Sequence, residues 1–293
     1  MKHLLLTRFQ GALIGANTIY ITPHQINPNQ LIMETSPALI DGMTSLIRSG
    51  RVEPQDWEQN IFIDTPSPER AIVAMLPLML FFHDDRVKLR ETLITVSHSW
   101  QLDWETCSSA VAIGYIISRS LTESFNPRTI ISQLLDEMLN LHPLLFQELS
   151  TIDRLLAQSS SLHQVTQRLT TTPHPIIAST VLAIYCLLST PEDFSLATRR
   201  AYQIEDRSQL TCALTGILAG AQNSLTGIPL NGYIATQERE QWLLAAESLL
   251  TSWAGVYHEH SASQSIALLP ASFQPTVAYP LSVAAPQVIQ QRH

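Results

Sequence analysis

Apolar residues in this chain recur at helical rather than strand spacing, and prolines cut the recurrences into short lengths. Leu39, Met43, Leu46 and Ile47 fall on one helical face; Ile131, Leu134, Leu135, Met138 and Leu139 fall on a second; Leu243, Leu244, Leu249, Leu250 and Trp253 form a third. Alternation of the strand type is scarce. Pro66-Ser67-Pro68, Asn126-Pro127, His142-Pro143, Pro173-His174-Pro175 and Thr190-Pro191 separate these faces. Proline lacks the amide hydrogen that a helix interior needs, and its ring collides with the preceding turn. Helices of such length, stopped this often, predict an all-α chain folded as a compact multi-helix bundle. No fixed-period repeat argues for a solenoid.

The remaining bulk features exclude several classes of function. Charged residues make up 14% of the 293 positions, against about 25% in an average soluble protein. Much of the surface must therefore be Ser, Thr, Gln and Asn, or lie under a partner. A net charge of -8 with no basic stripe argues against nucleic acid, which demands clustered Lys and Arg. The longest apolar run, Ala71 to Phe82, spans 12 residues with Pro77 inside it, whereas a membrane helix needs roughly 20. Near the N-terminus, Arg8 and Gln10 interrupt the apolar stretch well short of a signal-peptide core. Cys107, Cys186 and Cys212 are widely separated within apolar helical patterns, which predicts buried free thiols and a reducing, cytoplasmic setting.

From Ser261 onward the chain changes character: Pro270, Pro275, Pro280 and Pro286 punctuate a segment with no acid and only Arg292 as a base. The expected organisation is a helical domain over residues 1–260 and a Pro-spaced tail over 261–293. The plainer reading is a poorly ordered or extended tail; the alternative is a docking strand or polyproline-like contact for a protein partner, since Leu268, Leu269, Phe273, Val277, Tyr279 and Leu281 are more apolar than a plain linker requires.

Within the domain, Asp206 to Pro229 reads DRSQLTCALTGILAGAQNSLTGIP. The segment resembles the last core helix of the ADP-ribosylglycohydrolase family, where G-D-[ST]-D-T precedes A-x-x-G-x-x-x-G and a later G-x-x-x-I-P. Ala213, Gly216, Gly220, Gly227 and Pro229 match that frame. Counting back from Gly216 places Arg207 and Gln209 where the family has two metal-binding aspartates, and Leu210 where it has threonine. Arg8, Gly11, Ala12, Leu13, Ile14 and Gly15 resemble the family's first helix, though Thr18, Ile19 and Tyr20 stand where the family continues into G-D-A-x-G. Pro77, Leu78, Leu80, Phe82 and His98 resemble the stretch that ends in T-H. Leu182 to Ala201 resembles the helix pair leading into the metal segment. The family's other metal segment, S-D-D-T, falls on Met33, Glu34, Thr35 and Ser36 when counted back from Gly50, Pro54, Asp56 and Trp57.

The resemblance implies a compact orthogonal helical bundle and a cleft between the two metal segments. In the family, carboxylates from both segments hold two magnesium ions that grip ribose hydroxyls and orient an attacking water. A hard dication needs several anionic or carbonyl oxygens converging on one point. The corresponding set here is Glu34, Thr35, Ser36, Asp206, Arg207, Ser208 and Gln209, joined by His98, and it is poor in carboxylates. No metal is expected to bind; Glu34 and Asp206 are the candidate ligands if one does. An ion pair between Arg207 and Glu34 is expected to replace the cations, because a buried charge must be paired.

Other clusters have plainer readings. His83, Asp84 and Asp85 read as a solvated turn before Arg86 and Lys88; Asp206 reads as the cap of a helix starting near Ser208. His258, Glu259 and His260 read as a helix terminus, and Trp100 and Trp104 as packing residues. The expected function is a catalytically degenerate relative of the glycohydrolases, acting as a binding or regulatory module for an ADP-ribose-like molecule or a protein partner and needing no cofactor. The alternatives are an active ADP-ribosyl hydrolase with an altered or single-magnesium site centred on Glu34, and a helical scaffold subunit.

Overall fold

A computed structural model of the protein describes residues 2–17, 30–51, 67–137, 141–169, 171–204, 209–229 and 236–255. Among them the chain is helical, with no strand. Helices α1 (Lys2–Ala16) and α2 (Gln30–Ser49) are followed by α3 (Pro68–Ala74), α4 (Leu76–Phe81), α5 (Arg86–Ser99) and α6 (Trp104–Leu121). Then come α7 (Ile130–Glu137), α8 (Pro143–Ala157), α9 (Leu162–Leu169), α10 (Pro175–Ser189), α11 (Phe194–Tyr202), α12 (Gln209–Asn223), a single 3-10 turn over Leu225–Gly227, and α13 (Thr236–Trp253).

Helix α12 is the axis of the bundle. Leu210, Thr211 and every residue from Ala213 to Ala221 are buried, so it is covered on all sides, as a helix without a polar face must be. It packs on α1, α10, α11 and α6, and the pairing with α1 is the most extensive in the fold. Four glycines make that pairing possible. A β-carbon built on Gly216 would lie 2.0 Å from the carbonyl oxygen of Gly15, and one on Gly220 would lie 2.0 Å from that of Gly11. The reverse approaches, Gly15 to the Gly216 oxygen and Gly11 to the Gly220 oxygen, leave 2.1 and 2.3 Å. The two helices therefore run antiparallel with their backbones in direct contact.

Capping and proline set the other boundaries. Asp85, Asp103 and Asp193 each accept a hydrogen bond from a backbone amide in the first turn of α5, α6 and α11, at 2.9, 2.7 and 2.8 Å. Pro68, Pro143 and Pro175 occupy the first turns of α3, α8 and α10, where a missing amide hydrogen costs nothing. Gly50, with φ of 64°, ends α2 and donates to the Leu46 carbonyl at 2.8 Å. The run Ala71 to Phe82 is buried throughout and is split between α3 and α4 at Met75.

Four expectations need correction. On α13 the buried face is Trp242, Ala245, Ala246 and Leu249, while Leu244 is 46% exposed; the small alanines let this helix approach its neighbours, a feature that a search for large apolar residues overlooks. Of the cysteines, only Cys186 is fully buried; Cys107 and Cys212 are half-buried, and all three are free thiols. Desolvation pushes the Cys186 thiol up to about 12, so it stays protonated. His83, in the turn before α5, is only 3% exposed. Its Nδ1 donates to the Leu80 carbonyl at 2.8 Å, and its ring meets Phe9 edge-on at 5.4 Å and Trp253 at 4.9 Å. Asp84 and Asp85 remain exposed as expected. Trp100 is buried as a packing residue, whereas Trp104 is 53% exposed. His258 to His260, and the tail over 261–293, lie outside the described residues.

Two predictions follow from this packing. Gly216→Ala or Gly15→Ala forces two backbones apart and should lower the free energy of unfolding by about 3 kcal/mol or more. Gly114→Ala, whose β-carbon would meet the movable end of the Leu93 side chain at 2.9 Å, should cost less in the same urea titration. His83 gives the second. Burial lowers its pKa, so the unfolded chain binds the proton more readily than the folded one. Stability should be full above about pH 6.5, the ordinary histidine value, and decline as pH falls through it toward the lowered folded pKa. In His83→Gln the slope of stability against pH in that window should flatten, whatever the absolute stability.

Candidate functional site

The first turn of α2 and the first turn of α12 meet. The Leu31 amide donates to the Gln209 side-chain oxygen Oε1 at 2.6 Å across 178 positions of sequence. This satisfies one of the unpaired amides that every helix start presents. Gln209 is the first residue of α12 and is solvent-exposed, whereas Leu31 is buried. One turn further along α2, Thr35 and Ser36 are buried. The Thr35 hydroxyl donates to the Leu31 carbonyl at 2.6 Å, within its own helix. Leu31 and Gln209 thus use their polar atoms to join the two helices.

Of the residue set read from the sequence, Gln209 meets the start of α2 through Leu31, and Thr35 and Ser36 lie buried one turn further along α2. Glu34 is in the same turn of α2, but its side chain, together with Asp206, Arg207 and Ser208, lies outside the described residues. So does the expected Arg207–Glu34 ion pair. His98 is elsewhere, exposed in the last turn of α5, where with Arg90, Ser97, Trp104, Cys107 and Ser108 it lines a cavity of about 340 Å³. Among the described residues, those around that cavity come from α5, α6, Leu102 and Leu141, and none from α2 or α12.

The cavity wall includes groups that sequence reasoning missed. Cys107 is half-buried there, and its pKa is raised, chiefly by desolvation, so it is not a ready nucleophile. Arg90 and Ser108 carried no recognisable signal, because single polar residues on a helix face are ordinary. Nor did spacing reveal the link between Leu31 and Gln209, since a side chain capping a distant helix leaves no local pattern.

A family model for ADP-ribosylglycohydrolase matches residues 31–259, from the first turn of α2 to beyond α13. Helix α1, with Gly11 and Gly15, precedes the matched stretch. A solved structure described as an ADP-ribosylglycohydrolase-related protein complex is similar, with a TM-score of 0.60 and 16% sequence identity, covering 86% of this chain and 98% of that one. Likeness at that identity speaks to fold alone. No curated protein matches the sequence.

Removing the Gln209 acceptor leaves the Leu31 amide without its partner. Gln209→Ala should therefore lower the free energy of unfolding by about 1 kcal/mol, the usual worth of a helix cap. Gln209→Glu, which keeps an acceptor oxygen and adds a charge favourable to a helix start, should cost less. Parallel chemical denaturation of both variants checks this ordering.

Proposed function

Because the chain belongs to the ADP-ribosylglycohydrolase family, we propose that it uses the family's fold as a binding or regulatory module, taking an ADP-ribose-like ligand without hydrolysing it. The observation that carries this reading is the 2.6 Å bond from the Leu31 amide to Gln209. It puts a neutral amide, already engaged as a helix cap, at a position where the resemblance calls for a metal-binding aspartate.

The donors at this junction fit a pair of magnesium ions poorly. Magnesium requires near-octahedral oxygen ligands, commonly including carboxylates. Among the described residues, the junction offers the Gln209 amide oxygen, given to Leu31, and the Thr35 hydroxyl, which donates to the Leu31 carbonyl. A ligand still has reasons to bind. Helices of 20 and 15 residues start at one place, and the positive end of each helix dipole favours an anionic group such as a diphosphate. A protein partner acting through the tail over 261–293 is part of the same proposal, and the similar solved structure is itself described as a complex.

Calorimetric titration with ADP-ribose, with and without magnesium, tests the reading, together with an assay for release of ADP-ribose from a modified protein. The expected result is binding whose affinity is the same in magnesium and in chelator, with no release. Magnesium-dependent binding accompanied by release would favour an active hydrolase with an altered site. Absence of binding in both conditions would remove the ligand from the proposal.

A further inference from the structure

Between α2 and α12 in the sequence, three helices begin at one place. Asp103 stands immediately before α6, with Glu105 in its first turn; His142 stands immediately before α8; and His174 stands immediately before α10. Each histidine is followed by a proline, Pro143 or Pro175, which fixes the start of its helix. Sequence reading used these His-Pro pairs only as helix breaks. In the fold, one oxygen of Asp103, one oxygen of Glu105 and a ring nitrogen of His174 all lie within 4.8 Å of one another.

We propose that Asp103, Glu105 and His174 form a binding site for a divalent first-row transition ion of the zinc type, separate from the α2–α12 junction. The donors are already held in place. Asp103 Oδ1 accepts from the Thr106 amide at 2.7 Å, which anchors the carboxylate and leaves Oδ2 toward His174. Oδ2 and His174 Nε2 are 3.8 Å apart, too far for a hydrogen bond. They flank a common point without bonding to each other. Ligands placed about 2.0–2.2 Å from a zinc ion sit roughly 3–3.5 Å apart, so small side-chain rotations close the set.

Glu105 has its own support. The Leu144 amide donates to His142 Nδ1 at 3.3 Å, which puts the proton of the neutral ring on Nε2, and Nε2 lies 3.4 Å from Glu105 Oε1. The ring is further held edge-on against Trp104 at 4.8 Å. His142 is thus a positioning residue whose Nε2 stands 3.4 Å from a metal-binding carboxylate, and closing that gap to a hydrogen bond on metal binding would raise metal affinity. One imidazole and two carboxylates suit zinc better than magnesium, which favours oxygen alone. With three protein ligands, a zinc ion retains an open position for water or another molecule.

Zinc titration of the full-length protein, followed by calorimetry and repeated with cobalt to read its visible absorption, tests the site. The wild type should bind one zinc ion. His174→Gln should abolish that binding and the cobalt spectrum. Asp103→Asn, which keeps the cap on Thr106 and so preserves the fold, should weaken it at least about tenfold, and His142→Gln should weaken it by about 10–100-fold. Equal zinc affinity in wild type and both His174→Gln and Asp103→Asn would overturn the proposal. So would absence of zinc binding in the wild type, or binding that disappears only in a His258→Gln, His260→Gln double variant.

Discussion

The contact on which the rest of the structure depends is backbone against backbone. Gly11 and Gly15 on α1 face Gly220 and Gly216 on α12 so closely that no β-carbon fits at any of the four. Dense packing of this kind brings many atoms within dispersion range without long side chains. It also fixes the axial position of α12, because only this register sets glycine against glycine. Since α12 is buried on every side and touches α1, α6, α10 and α11, the placement of those helices follows from it. The α1 contribution is notable because α1 lies before the stretch matched by the family model.

Fixing α12 also fixes where it starts, and that start is what meets α2. In the family that the chain belongs to, the resemblance implies that cations bridge these two segments. In this chain a side-chain amide joins them, Gln209 accepting from the Leu31 amide. A link of this sort differs in kind from a bridge of cations. Carboxylates gathered around a cleft repel one another and need cations to hold them, whereas a neutral cap needs none and adds only the modest net worth of one hydrogen bond. On the proposed reading, a domain without those acids need not unfold when the junction has another link, and this is the physical basis for proposing a binding role.

Much of the fold was legible in the sequence because its signals are local. The apolar face of Leu39, Met43 and Leu46 and the His-Pro and Asn-Pro breaks report helices and their ends directly, since period and proline act within a few residues. What was less legible depends on partners distant in sequence. The burial of His83 follows from Phe9 and Trp253 closing over it, and a histidine beside two aspartates looks solvated until they do. On α13, Leu244 faces outward because Ala245 and Ala246 take the close approach. The candidate site divides in the same way: motif counting led to the two segments that hold Thr35, Ser36 and Gln209, but not to the bond from Leu31 to Gln209 that unites them or to the place of His98 at another cavity. The convergence of Asp103, Glu105, His142 and His174 joins three helix starts and has no sequence pattern.

The most direct test of the central claim is a crystal structure determined after soaking with ADP-ribose and manganese, used in place of magnesium for its anomalous scattering. The account predicts that Gln209 remains bonded to Leu31, that no anomalous peak appears between the starts of α2 and α12, and that any ADP-ribose there is held by protein groups alone. Two manganese ions at that junction, with Gln209 displaced from Leu31, would contradict it.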